Sequence, residues 1–127
     1  MDANVYLFFD GRCAEALAFY GKLLDGEVEQ IMTYDESPMA DQFPPETRDK
    51  VMHARLRLGE TVVMASDAPP GRYTAPQGFS VSLAFENLDK ARRTFDALAE
   101  GGTVNMPFEK TFWAAGFGML VDQSGIP

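Results

Sequence analysis

The chemistry available to this chain centres on a short hairpin. His53 is the only histidine, and Arg55 follows it by two residues. An imidazole titrates near neutral pH and can act as acid, base or hydrogen-bond donor. A planar guanidinium can clamp a carboxylate or phosphate. Both residues fall in a strand expected over residues 50–58, joined to a second over 61–66 by Gly59-Glu60, a pair suited to a two-residue type II′ turn. Counting outward from that turn pairs Leu58 with Thr61, Leu56 with Val63, Arg55 with Met64 and His53 with Ser66. His53, Arg55 and Arg57 then share one face, and Met52, Ala54, Leu56 and Leu58 line the other. The apolar face is expected to pack on a helix, and the polar face to meet water or a wet cavity. Two other roles stay open at this point: a solvated structural imidazole for His53, and simple charge balance for Arg55.

Further candidates lie outside the hairpin. The stretch 79–85 alternates Phe79, Val81, Leu83 and Phe85 with Ser80, Ser82 and Ala84, which makes Ser80 and Ser82 candidates for a second polar, small-residue face. Phe112 and Trp113 precede Ala114-Ala115-Gly116-Phe117-Gly118, placing aromatic area beside small residues. A small-molecule pocket needs aromatic walls with a few polar groups, and Trp113 is the better candidate of the two. Asp67 is expected to be a turn residue bonding its own backbone. Cys13 falls on an apolar helical stripe and is expected to be a buried small hydrophobe. No Ser-His-Asp arrangement suggests itself, since the serines fall on strands rather than on a strained strand-to-helix turn.

The elements that must position these residues form a repeating grammar. A strand over 5–9 leads through Asp10-Gly11 into a helix over about 12–24, in which Cys13, Ala16, Leu17, Tyr20 and Leu24 form one stripe. Asp25-Gly26 is the expected stop, with glycine in the left-handed conformation. A strand over about 27–34 follows. Seventy-five positions later the pattern returns: strand 79–85, helix about 88–99, stop at Gly101-Gly102, strand from Thr103. Ala16 answers to Ala91, Tyr20 to Phe95, Leu23 to Leu98 and Gly26 to Gly101. The segment 35–49, with its three prolines and many charges, reads as a long irregular loop that could serve as a lid.

Composition narrows the partners. With 11 Lys plus Arg against 19 Asp plus Glu, the formal net charge is -8, which repels nucleic acid and anionic membranes. No apolar run approaches the roughly 20 residues of a membrane span. The lone cysteine permits no internal disulfide, and the N-terminal residues lack the character of a signal peptide, so the expected compartment is the cytoplasm. At 127 residues, one domain spanning 1–127 is expected, with repeats over about 1–70 and 76–127.

The segments MHARLRLGETVVMASDAP, AEALAFYGKLL and EKTFWAAGFGMLVDQSGIP, set in this order of elements, resemble PhnB-like proteins of the vicinal oxygen chelate superfamily, which includes glyoxalases, bleomycin-resistance proteins and extradiol dioxygenases. The resemblance implies an α+β fold of tandem βαβββ repeats forming a curved mixed sheet around a concave cavity, with a final strand expected beyond Pro127. It also implies a divalent metal, whose ligand positions fall near Val5, Met64 and Ser80, with the fourth beyond Pro127. None of those three side chains is a competent donor for zinc, nickel, iron or manganese. The expectation is therefore a metal-free, cofactor-free small-molecule-binding protein, with pocket candidates His53, Arg55, Met64, Ser66, Ser80, Ser82 and Trp113. The alternatives are an enzyme of the same fold working by metal-free acid/base chemistry, or a metal-dependent lyase or dioxygenase. No glycine-rich strand-to-helix turn of the nucleotide-cofactor type supports a methyltransferase reading. A homodimer is expected, because the first strand is apolar on both faces and an uncovered edge is a hazard.

Overall fold

The computed structural model describes residues 1–38 and 40–127 and divides into two compact units, Met1–Thr74 and Ala75–Pro127. The first contains β1 (Tyr6–Phe9), α1 (Cys13–Leu23), β2 (Glu27–Thr33), β3 (Val51–Leu58) and β4 (Thr61–Asp67). Its sheet runs β1-β4-β3-β2, with β1 parallel to β4 and the other pairs antiparallel, so it is a mixed sheet in βαβββ order. Alternation along β1 buries Leu7 and Phe9, and their neighbours on β4 and β3, Val63, Ala65, Ala54 and Leu56, are buried too. The stripe of α1 that seals this face is the expected one: Cys13, Ala16, Leu17 and Tyr20 are all buried.

The β3–β4 hairpin has the expected register, from Leu58 opposite Thr61 through Leu56 opposite Val63 to Arg55 opposite Met64. Gly59 takes a φ of 62° while Glu60 is not among the residues of positive φ, as a type II′ turn demands.

Two local expectations need correction. The left-handed residue after α1 is Asp25, with a φ of 55°, not Gly26. Gly26 is required for a different reason: a Cβ there would lie 2.6 Å from the Arg57 carbonyl oxygen and from Leu58 Cδ2, so only glycine lets the chain pass so close to β3. Asp67 does not bond its own turn. Its carboxylate accepts the Cys13 N–H on Oδ1 and the Val51 N–H on Oδ2, both at 2.9 Å, while its carbonyl accepts the Tyr34 hydroxyl at 3.0 Å. Arg12, the residue preceding α1, offers no side-chain cap, so Asp67 caps the helix from a strand 54 positions away.

The segment 35–49 is more ordered in its bonding than an irregular loop. The Tyr34 N–H reaches the Lys50 carbonyl and the Asp35 N–H that of Arg48, extending the β2–β3 connection beyond the strand ends. Two 3-10 turns follow, Ala40–Gln42 and Pro45–Thr47, and Phe43 packs edge-on against the buried Tyr34 ring at 4.6 Å. The prolines that argue against helix or strand suit such turns. Met39, within the proposed lid, lies outside the described residues.

The second unit contains α2 (Leu88–Ala99), β5 (Thr103–Glu109) and β6 (Phe117–Val121), with β5 and β6 antiparallel. Asn87 caps α2 by accepting the Lys90 N–H at 2.9 Å. Residues 79–85 do not form the expected strand. Among the described residues they show one backbone rung, from the Val81 N–H to the Pro127 carbonyl, whereas β1 in the first unit owes its strand character to a full parallel ladder with β4. Alternation alone does not make a strand without a partner to satisfy its backbone groups.

The step from helix to following strand agrees between the two units, with one shift. The helix starts, Cys13 and Leu88, are 75 positions apart, but α2 is one residue longer, and β2 and β5 begin 76 apart. The counterpart of Asp25 is therefore Gly101, with a φ of 77°. That of Gly26 is Gly102, whose absent Cβ would collide with the Val121 carbonyl. The ungapped pairing of Gly26 with Gly101 is off by this one residue. Gly116 and Gly118 are packing sites rather than flexible joints, because Cβ atoms there would strike Phe108 and Leu88 in one case and Phe95 in the other.

Candidate functional site

With α1 covering one face of the first sheet, the other face carries the chemistry. Tyr6 on β1 stands opposite Met64, Met64 opposite Arg55, and Arg55 opposite Gln30, so one row crosses all four strands. The next row holds Phe8 opposite Ser66, and Met32 opposite His53. Tyr6 and Phe8 are 36% and 51% exposed, which is unusual for aromatic side chains on a strand whose other face is sealed. Their rings lie 5.0 Å apart, and the Tyr6 hydroxyl is 3.4 Å from His53 Nδ1. Four expected residues, His53, Arg55, Met64 and Ser66, thus occur on neighbouring strands of one face.

Charge is concentrated beside this aromatic cluster. A β-bulge between Val28 and Gln30 leaves Glu29 without a strand partner. Its Oε2 accepts Arg57 Nε at 2.9 Å and also accepts Arg57 Nη2, and these bonds raise the Arg57 pKa. Arg55 Nε lies 3.9 Å from Glu29 Oε1, an ion pair too long for a hydrogen bond. Glu29, Gln30, Arg55, Arg57, Glu60 and Val62 line an open cavity of about 500 Å³. The pattern of alternation locates Arg55, but Tyr6, Phe8 and Glu29 escaped the sequence reading. The apolar letters of β1 suggested a dimer contact rather than a ligand surface, and a bulge leaves no mark in the alternation.

The remaining candidates belong to the second unit. Ser80 and Ser82 are exposed and sit outside any strand. Trp113 lies in the β5–β6 connection, 56% exposed, with its ring 4.6 Å from Phe112 and 5.6 Å from Phe117. Thr111 shapes this turn, its hydroxyl accepting the Ala114 N–H at 3.1 Å. Cys13 is fully buried, and burial together with the Asp67 carboxylate pushes its thiol up to about 12, which leaves it unreactive near neutral pH.

Residues 3–127 match the Glyoxalase/Bleomycin resistance protein/Dioxygenase superfamily, and the chain belongs to that family. It is 33% identical to Protein YjdN of Escherichia coli strain K12 over 135 residues, covering all of this chain and 92% of that protein. Among solved structures, protein PA1353 from Pseudomonas aeruginosa shares 42% identity with a TM-score of 0.90, over 99% of this chain and 92% of that one. A PhnB protein from Bacillus cereus, described as a putative 3-demethylubiquinone-9 3-methyltransferase, shares 27% with a TM-score of 0.84, over 99% and 95%.

The family's divalent metal does not fit the residues present. Val5 offers an aliphatic side chain, and its carbonyl is taken by the Met64 N–H at 3.0 Å. Met64 offers only a thioether, and Ser80 a neutral hydroxyl. Among the described residues, no three His, Cys, Asp or Glu side chains gather as a metal-holding group. Nor is any helix among them long and apolar enough to cross a membrane.

Proposed function

We propose that this protein is a metal-free, cofactor-free binder of small molecules and that the open face of its first sheet receives the ligand. The observation that carries this reading is the cluster of exposed Tyr6 and Phe8 with half-buried His53, flanked by Arg55, since aromatic area beside a few polar groups is the usual composition of a small-molecule site. Tyr6 and Phe8 supply flat apolar surface, His53 a hydrogen-bond donor or acceptor, Arg55 a charge, and Met64 an adaptable floor. Ser66 belongs to the same face. Ser80, Ser82 and Trp113 are proposed as ligand-contacting residues of the second unit taken by itself. Saturation-transfer NMR with a set of aromatic fragments tests the reading. Wild type is expected to saturate ring-bearing fragments and Tyr6→Ala/Phe8→Ala to lose the effect; equal saturation in both would reject it.

A second reading, metal-free acid/base catalysis, rests on the Tyr6–His53 contact. A bound fragment found chemically altered by mass spectrometry would favour it. The protein is further proposed to be cytoplasmic and homodimeric. The dimer is supported by the backbone edge that β1 presents in its sheet, with Val5 exposed before it, and by Phe112, which is 96% exposed.

A further inference from the structure

We infer that the cavity beside the aromatic cluster recognises the oxyanion of an aromatic acid, with Arg55 as the recognising cation and Glu29 as a built-in competitor. The inference rests on the open face being a ligand surface and adds the ligand's chemical class. Two guanidinium groups line the cavity, and they are not equally engaged. Arg57 is bound to Glu29 through both Nε and Nη2, whereas Arg55 has only the 3.9 Å approach to the other carboxylate oxygen. No hydrogen bond from the Arg55 side chain is seen among the described residues, although that side chain is only 40% exposed. A guanidinium has five donors in a rigid fork matched to carboxylate geometry. One internal carboxylate already sits at the edge of that fork, held there by the bulge at Glu29. An incoming carboxylate would complete what Glu29 leaves unmade, and Glu29 would remain on Arg57.

The aromatic half of the ligand follows from the register. Tyr6, Met64 and Arg55 occupy one row on three adjacent strands, so the Tyr6 and Arg55 backbones stand about 10 Å apart. A bicyclic aromatic carboxylate spans that interval, its rings over Met64 and against Tyr6, its charge on Arg55. Glu60, exposed at the rim, adds a second negative group that disfavours dianions and leaves a monoanion as the fitting class.

Isothermal titration with 1-naphthoate and with its neutral analogue 1-naphthylmethanol tests the assignment. Wild type is expected to prefer the acid. Arg55→Gln should weaken the acid about tenfold and leave the alcohol unchanged. Glu29→Gln should strengthen the acid roughly fivefold by removing a like charge about 4 Å from the recognising group. Amide spectra of both variants check that the sheet is intact. Equal affinity of wild type for acid and alcohol overturns the oxyanion assignment while the aromatic-surface reading stands. Parallel weakening of both probes in Arg55→Gln overturns the role of Arg55. Binding of neither probe overturns both inference and surface reading.

Discussion

Replacing Asp67 with alanine should damage the first unit more than any other single truncation of a polar side chain there. The residue is only 2% exposed, and its two carboxylate oxygens satisfy the Cys13 N–H at the start of α1 and the Val51 N–H at the start of β3. Alanine leaves both donors buried without partners. Each such loss costs about 1–3 kcal/mol, so the pair costs about 2–6 kcal/mol. That compares with a total stability of about 5–15 kcal/mol for a typical domain. Urea unfolding followed by far-ultraviolet circular dichroism should show the midpoint falling by about 1–3 M for a slope near 2 kcal/mol/M. Asp67→Asn keeps one acceptor oxygen but turns an N–H2 group toward the other donor, so it should fall between wild type and alanine. Amide exchange localises the effect, with Cys13 and Val51 expected to lose protection first. A stability loss below about 1 kcal/mol with unchanged exchange at those two amides would refute the capping argument.

Raising the pH should destabilise the protein through Cys13, because burial and the neighbouring Asp67 push its thiol up to about 12, against roughly 8.5 for an unfolded thiol. A raised pKa gives its full stabilisation below the unfolded value and loses it toward the folded one. Above about pH 9 this residue should therefore subtract about 1.4 kcal/mol per pH unit, a slope that Cys13→Ala removes; identical alkaline profiles would contradict it. Chelator should leave the melting temperature unchanged and the purified protein should hold substoichiometric metal, whereas one tight metal per chain would overturn the metal-free reading. Light scattering should give about twice 14.0 kDa, and a mass near 14.0 kDa would reject the dimer. Phe9→Asp, at a fully buried position, should unfold the first unit rather than merely separate protomers, which a folded monomeric variant would disprove.

Local pattern in the sequence carried the first unit well, because its elements are bounded by strong signals. The Gly59-Glu60 turn determined a register that located Arg55 opposite Met64, and the α1 stripe named its buried residues. What escaped the sequence was settled by contacts between distant positions. Asp67 looks like a turn residue until α1 and β3 place two unpaired N–H groups against it. Gly26 looks like a left-handed helix stop, but Asp25 takes that conformation and Gly26 is required by the approach of β3. Residues 79–85 alternate like a strand yet find one backbone rung among the described residues. Within the candidate site, Tyr6 and Phe8 were read only as apolar letters of an edge strand awaiting a partner, not as ligand surface, and Glu29 was invisible because its aim depends on a bulge.

The central claim, that the open face of the first sheet is the ligand surface, is tested most directly by mapping amide chemical shifts in ¹⁵N-labelled protein titrated with 1-naphthoate. The shifts that move are expected to cluster at Tyr6, Phe8, His53, Arg55 and Met64, with α1 and its buried partners unmoved. Saturable shifts confined to the opposite face or to the Phe112–Trp113 turn, with the β1–β4–β3 face silent, would contradict the account.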